Sequence, residues 1–263
     1  MIILYETKDA VRNAGFIQEL QKFGEFRLVQ WNDWTEDGLA VLADTLQGEL
    51  VLFRVRRPEA ARFLEDNGVF LVNRAEVNRV ANDKWQSFQL MQLLGVPVIP
   101  TYREAPAFPC VVKTADGHGG TEVEVITSLD EIPFESGSLV FQPVVEHTAD
   151  VRAYVIGNEL VGAVKRSSAD GFKANYSLGG SAEKYVLSAA QEQDVLKIAR
   201  ALNGDYIGVD FLLLPDGRHV FNEIEDPVGA RSFYETHDEN IAELLVMHLR
   251  KIEKERPFRP KNK

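Results

Sequence analysis

The stretch YIGVDFLLLPDGRHVFNEIED, residues 206–226, constrains this chain more than any other. Asp216-Gly217 lies between two β-rich apolar runs and reads as the two-residue turn of a hairpin, a type I′ turn with positive φ at both positions. A register set by that turn puts Asp210 directly opposite Glu223, with Cβ atoms about 4.5–5.5 Å apart. Glu225 projects from the same face two residues on, opposite Gly208, which leaves room beside the carboxylate. Three carboxylates on one face repel one another unless a cation sits among them. A solvated acidic face is the plain alternative, but Val209, Phe211, Val220, Phe221 and Ile224 are apolar, so the hairpin belongs to a core. Oxygen ligands without nearby His or Cys favour magnesium over zinc. Asp210, Glu223 and Glu225 are the candidate metal ligands.

The first 75 or so residues alternate β-rich runs with helical ones. Strands are expected over 2–5, 26–30, 50–55 and 69–72, with helices over 14–23, 35–46 and 58–67, the last opened by a proline suited to a first helical position. That alternation predicts right-handed crossovers and a parallel sheet. A helix over 82–94 comes next, capped by Asn82 or Asp83 and ended by Gly95-Val96-Pro97. After Pro109 the pattern turns antiparallel. Strands are expected over 110–113, 122–127 and 139–142, and a hairpin joins 151–156 to 159–165 about Gly157-Asn158. A helix over 191–202, the acidic hairpin and a terminal helix over 238–254 complete the chain. The fold class is α/β in the first half and α+β in the second.

The segment VVKTADGHGGTEVEV places Gly117, Gly119 and Gly120 between two strands, where backbone N–H groups could meet phosphate oxygens. Neither the Walker loop nor the Rossmann fingerprint is present. His118 at the tip reads as an exposed loop residue. Lys113 ends an apolar strand just before the loop, and Lys84 lies in the first turn of its helix, where the macrodipole disfavours a cation. In the Gly157-Asn158 hairpin, Asp150 falls opposite Lys165 and shares its face with Arg152. Arg166 points to the other face unless the strand bulges.

A formal net charge of −11 over 263 residues argues against general nucleic-acid binding, which needs a basic face. No apolar run reaches the length of a membrane span and the N-terminus lacks the pattern of a secretory signal, so the expectation is a cytoplasmic protein with no membrane partner. A single cysteine, Cys110, sits in an apolar run and reads as a buried structural thiol.

Taken in order, these segments resemble the ATP-grasp superfamily, and within it the RimK-like and LysX-like carboxylate–amine ligases. The resemblance implies an ATP-grasp fold with an N-terminal parallel α/β pre-ATP-grasp domain (1–80), a central subdomain with a glycine-rich lid (81–145) and a C-terminal subdomain with the metal site (146–263). NRAEVNRVANDKWQSFQLMQLLGVPVIPT resembles the segment that carries one ATP-contacting lysine, here Lys84, and VVKTADGHGG the strand and lid that carry the second, Lys113, with Gly117, Gly119 and Gly120. FQPVV resembles the adenine-facing joint, which implicates Gln142 and the backbone of Val145. DVRAYVIGNELVGAVKR resembles the stretch that begins with Asp150 and ends with an arginine near the transferred phosphate, Arg166. FKANYSLGGSA resembles an RxNxxxGG element, with Lys173 in place of arginine and Asn175 retained. Glu225 departs from the usual E-x-N of the second metal strand, and DPVGARSFYE departs from the family's substrate-side loop.

By this resemblance the cofactors are ATP and two magnesium ions, with manganese as a substitute. The partners are a small-molecule or peptide substrate bearing a carboxylate, plus an amine; a homo-oligomer is left open. The implied reaction joins carboxylate to amine through an acyl phosphate. An ATP-binding regulatory module and a phosphotransferase are the alternatives. Arg152, Arg166 and Lys173 together suit a substrate carrying more than one carboxylate.

Overall fold

Alternation in the first strand decides how the N-terminal part of the chain is layered. In β1 (Ile2–Tyr5), Ile2 and Leu4 pack with Leu42, Leu46 and Leu64, while Ile3 and Tyr5 pack with Phe16, Leu20 and Leu245. A strand apolar on both faces belongs inside a parallel sheet covered on both sides. β1 is joined by β2 (Arg27–Gln30), β3 (Leu50–Phe53) and β4 (Phe70–Val72), all parallel, in the order β2-β1-β3-β4. Between the strands run a short α1 (Thr7–Arg12) that the pattern did not suggest, then α2 (Ala14–Phe23), α3 (Glu36–Leu46) and α4 (Pro58–Asp66). Thr35 caps α3, its side chain accepting from Gly38 N at 3.1 Å, and Pro58 opens α4. The computed structural model describes residues 1–117, 122–134, 137–167 and 181–255.

The helix expected over 82–94 is α6 (Lys84–Leu94), and a further helix that the pattern did not suggest, α5 (Ala75–Ala81), comes just before it. Asp83 breaks them because its carboxylate accepts from Trp85 N at 2.8 Å and Gln86 N at 3.1 Å, starting a new helix at Lys84. Gly95, at φ 65°, ends it.

Two antiparallel sheets make up the rest. The smaller has the order β6-β5-β7, from β5 (Cys110–Thr114), β6 (Val123–Ile126) and β7 (Leu139–Pro143). Cys110 lies in its core, and burial raises its thiol pKa, as suits an inert thiol. The larger has the order β10-β9-β8-β11-β12, from β8 (Ala149–Ile156), β9 (Glu159–Ser167), β10 (Ser181–Lys184), β11 (Tyr206–Leu213) and β12 (His219–Glu225). One face packs Val151, Ala153, Ile207 and Val209 against Val195 and Ile198 of α7 (Ala189–Leu202). The other gives Tyr154 and Tyr206 to a core shared with the N-terminal sheet, with Phe233 of α8 (Arg231–Thr236) and with α9 (Ile241–Glu255). Among the described residues no helix is long and apolar enough to cross a membrane.

Two bulges aim the functional strands. The turn between β11 and β12 differs from the expected type I′. Only Gly217 of the pair has positive φ, at 84°, and Leu214 N donates to Arg218 O at 2.8 Å, which closes a three-residue loop. That loop shifts the register by one near the turn, and a bulge at Asn222 shifts it back. Asp210 therefore does face Glu223, and Gly208 does face Glu225. In the other hairpin a bulge at Val161 moves Arg166, and not Lys165, opposite Asp150. Lys165 pairs instead with Glu183, at 2.9 Å.

Polar side chains of the N-terminal layer grip the chain just past β12. Arg54 donates to Val228 O at 2.7 Å and Arg56 to Pro227 O at 3.4 Å. Asn73 and Asn78 each donate to the buried Asp226 carboxylate at 2.9 Å, and Asn82 donates to the Asp226 carbonyl at 2.9 Å. The apolar side of the same junction is Leu245, at 0% exposure. Leu245→Ala should destabilise the protein by about 2–5 kcal/mol through the cavity it leaves. Urea unfolding would measure it; a cost within that of a surface substitution would show that the shared core does not hold the layers together.

Candidate active site

The centre of the site is a cross-strand pair in the middle of the larger sheet. Arg152 on β8 stands opposite Asp210 on β11. Its Nε donates to Asp210 Oδ1 at 2.8 Å and its Nη2 to Asp210 Oδ2 at 2.6 Å, a two-pronged contact that suits a planar guanidinium. The same Nη2 donates to Glu225 Oε1 at 2.5 Å. Arg166, turned inward by the bulge at Val161, donates to Asp210 Oδ2 at 2.8 Å through Nη2 and to Asp150 Oδ1 at 2.5 Å through Nε. Arg152 thus pairs with Asp210 and Glu225, and Asp150 takes Arg166.

Asp210, Glu223 and Glu225 each offer an oxygen, and the three atoms lie within 4.8 Å of one another. Gly208 makes this possible: a Cβ there would come within 2.8 Å of Val228 Cγ2 and 3.2 Å of Glu225 Cβ. The donor set is all carboxylate oxygen, which fits a hard divalent cation such as magnesium. In the protein without metal, the guanidiniums of Arg152 and Arg166 supply the positive charge that these carboxylates require.

Burial sets the electrostatics. It works to raise the Asp210 pKa, yet the two guanidiniums hold that carboxyl below the ordinary range. Asp150 is raised by burial against the pull of Arg166. Among the described residues no guanidinium hydrogen-bonds Glu223; burial, with Glu225 and Asp210 close by, pushes it up to about 7 against the pull of Arg152 and Lys84. Lys113 is lowered by burial to about 8, Glu223 opposing and Lys84 adding to the shift. Lys84 is lowered by the same desolvation, and Glu223, Asp116 and Glu122 oppose it. Lys84, Lys113 and Glu223 lie close enough to shift one another's ionisation, but Lys113 is not on the lining of the cavity that Lys84 and Glu223 share.

Lys84, at the head of α6, hydrogen-bonds through Nζ to the carbonyl of Gly117, so the first ATP-lysine candidate already touches the root of the glycine loop. Lys84, Gly117, Glu223, Glu225, Asn82 and Arg56 line a cavity of about 90 Å³. A larger cavity of about 750 Å³ begins at Arg152 and Arg166 and opens past Tyr234 and Asn240 to Arg12 and Arg231. Gln142 and Val145 line neither cavity. Gln142 Nε2 donates to Thr101 Oγ1 at 2.9 Å, and the Val145 carbonyl lies 3.1 Å from His147 Nδ1. Gly119, Gly120, His118, Lys173 and Asn175 lie outside the described residues.

Sequence reasoning missed Arg56 and Arg12. A usable signal existed for Arg56, because RVRRP comes after the carboxyl end of a strand in an open parallel sheet, where ligand crevices form. For Arg12, on a short helix that the periodicity did not suggest, there was none.

The three sheets and their connections form an ATP-grasp fold. The chain superposes on D-cycloserine synthetase DcsG with a TM-score of 0.71 at 18% identity, over 96% of this chain and 99% of that one. The RimK-like ATP-grasp domain model matches residues 81–249, and the chain belongs to that family. It is 30% identical over 264 residues to an uncharacterized protein of Mycoplasma genitalium, spanning 93% of this chain and 90% of that protein. It is also 29% identical over 211 residues to a probable alpha-L-glutamate ligase of Pasteurella multocida, spanning 72% of this chain and 67% of that protein. The chain is accordingly an ATP-dependent ligase that forms carbon–nitrogen bonds.

The burial of Glu223, with no ion-pair partner among the described residues, makes stability without metal depend on pH. A carboxyl raised to about 7 from an ordinary 4.5 binds its proton more tightly in the folded than in the unfolded chain. Its contribution is therefore full below the unfolded value and is lost as pH rises through the window to the folded one. Glu223→Gln escapes that loss. In EDTA the variant should match the parent near pH 4.5 and become progressively more stable than it up to about pH 7, above which the difference levels off. Denaturation midpoints at several pH values check this; a constant difference between the two proteins would count against it.

Proposed function

We propose that this ligase activates a carboxylate of an acidic amino acid or of a peptide as an acyl phosphate, and passes it to an amine. The observation that carries this reading is the continuity between the 750 Å³ cavity and the carboxylate cluster: Arg152 and Arg166 line the cavity and also sit on Asp210. A substrate carboxylate at the buried end would meet Arg166 beside the metal carboxylates. Asp210, Glu223 and Glu225 would hold magnesium, as one ion or two, and such an ion supplies charge to the phosphates and so lets two anions approach. Lys84 and Lys113 would face the α- and β-phosphates, where an anion restores the charge that burial disfavours. Gln142 and the Val145 backbone would lie by the adenine, and Gly117, Gly119 and Gly120 would cover the phosphates and keep water out. Asp150 would orient Arg166. Lys173 and Asn175 would act on the substrate side.

In the first step a substrate carboxylate oxygen attacks the γ-phosphorus and the bond to the β–γ bridging oxygen breaks, releasing ADP. In the second, the amine nitrogen attacks the acyl carbon and phosphate leaves with the bonding electrons, while the nitrogen gives up a proton. No protein nucleophile is required.

The preference for acids rests on the cavity rim. Arg152 and Arg166 are already matched by Asp210, Asp150 and Glu225, so they have little charge left for a second substrate carboxylate. Arg12 and Arg231, both exposed on the cavity lining, are less committed: Arg12 meets Asp9 at 3.8 Å, a loose surface contact that a substrate carboxylate could replace. The Pasteurella relative's name as a glutamate ligase agrees with that choice. ATP use and the buried lone thiol suit the cytoplasm.

Sustained ADP release over many turnovers should require both an acid and an amine, the acid alone giving at most one ADP per protein, and acids with a second carboxylate should outperform their amides. Glu223→Gln should lower turnover about 100-fold or more, the scale of losing one preorganised electrostatic contact. The Arg12→Ala, Arg231→Ala double variant should raise KM for the acidic substrate about tenfold, as two partly exposed contacts would. Sustained ADP release with the acid alone would mark a phosphotransferase, and no release with any pair would mark a binding module.

A further inference from the structure

His237 keeps a buried ring nitrogen without a partner. It closes the C-terminal end of α8, where its Nδ1 stands 2.8 Å from Thr236 Oγ1. That hydroxyl gives its one proton to Ser232 O at 2.8 Å, so toward Nδ1 it can only accept. The ring proton therefore sits on Nδ1, and Nε2 is a bare lone pair. Nε2 is shut off from solvent and has no hydrogen-bond partner among the described residues.

What surrounds Nε2 leaves no place for a second proton. A Cβ on Gly162 would come within 2.7 Å of it, so the ring edge lies against the backbone of β9. The ring stacks on Phe233 with centroids 4.2 Å and planes 8° apart, and Phe233 meets Tyr154 edge-on at 5.1 Å in the shared core. The charged groups of β9 and β10 are engaged elsewhere: Lys184 with Glu239 at 3.6 Å, and Lys165 with Glu183 at 2.9 Å. Arg231 and Glu235 belong to α8 itself and Asp238 follows it, and none of these groups hydrogen-bonds Nε2. A proton there would bring a charge and an unsatisfied donor against Gly162 and Phe233. Burial, with Lys184 adding and Glu239 opposing, accordingly holds the imidazole pKa below its ordinary 6.5.

The helix that this ring ends carries part of the cavity wall. α8 has six residues and no side-chain cap at its start, so packing and not helix propensity keeps it in place. Its Arg231, Ser232 and Tyr234 line the 750 Å³ cavity, and the Ser232 carbonyl is the far end of the Thr236 bond. We propose that His237 is a positioning residue of the substrate cavity that works only unprotonated: the neutral ring seats α8, and with it Arg231, Ser232 and Tyr234, against β9, and a proton at Nε2 unseats them. The inference rests on the reading that this cavity takes an acidic substrate. With α8 unseated the ring meets water and titrates near its ordinary value, whereas the seated ring titrates below it. Falling pH therefore moves the protein toward the unseated form, and bound substrate opposes that movement.

The test follows the His237 ring by NMR on the full chain, with Mg²⁺ and a non-hydrolysable ATP analogue present throughout. The ring should show the Nδ1–H tautomer at neutral pH and a titration midpoint below 6.5. Glutamate at about ten times its Kd should lower that midpoint by about one pH unit, because it binds only the seated form. In calorimetry the Kd for glutamate should rise about tenfold for each pH unit below the midpoint, and His237→Gln, which has no titrating ring, should lose that rise. An Nε2–H tautomer, a midpoint that glutamate leaves in place, or an equal rise of Kd in His237→Gln overturns the role of His237 and leaves the cavity reading standing. The midpoint shift needs only the parent, so it decides the matter even where the variant does not fold. A parent that binds neither glutamate nor aspartate at neutral pH overturns the acidic-substrate reading and this inference with it.

Discussion

A fully buried carboxylate, Asp210, needs a partner wherever the chain puts it, and that need organises the site. Taking an ion out of water costs several kcal/mol, which only close pairing with good hydrogen bonds offsets. Arg152 meets it from the neighbouring strand with both prongs of its fork. Once Arg152 is there, its Nη2 can reach Glu225, and Arg166 can close on the other side of Asp210 with Asp150 behind it. The outcome is a chain of alternating charge across four strands of one sheet. Each guanidinium in that chain is shared between two carboxylates, so no charge of the cluster is left far from an opposite one. Arginine suits that sharing, because its charge persists in the interior and its geometry matches a carboxylate.

That chain depends on two irregularities. A bulge inserts one residue, changes which side chains share a face and re-aims the remainder of its strand. At Val161 it brings Arg166 onto the face of Asp150; at Asn222 it returns Glu223 and Glu225 to the face of Asp210. Both bulges lie within the sheet and away from the turns that begin each hairpin. Their positions separate the residues that set strand pairing from those that do chemistry.

The N-terminal layer is more than a neighbour of the ATP-grasp region. It shares an apolar core with it through Tyr206, Phe233 and Leu245, and it fixes the segment past β12 through five polar side chains. The strand that carries Glu223 and Glu225 therefore ends in a grip supplied by residues distant in sequence. Arg12 and Arg56 extend the same layer into the two cavities.

Much of the arrangement was legible in the chain itself. The parallel order of the N-terminal strands came from the alternation of β-rich and helical runs. Lys113 stood out by its place just before the glycine loop, Lys84 as a cation in the first turn of a helix, and the convergence of Asp210, Glu223 and Glu225 by a period of two along β-rich runs. The last agreement is partly fortuitous. The turn is a three-residue loop and not type I′, and the bulge at Asn222 cancels the difference. Where no bulge cancelled, at Asp150 and Lys165, the expected pairing was off by one residue. Local chemistry thus determined which elements form, where Asp83 and Gly95 begin and end α6, and which residue types could bind metal and phosphate. Only the tertiary structure decided that Arg152 belongs to Asp210, that Arg166 turns inward and that Arg56 reaches Glu225. The reason is physical. Helix periods and turn preferences are properties of a few adjacent residues, whereas a buried charge is matched by whichever opposite charge the packing of distant segments brings within hydrogen-bonding reach.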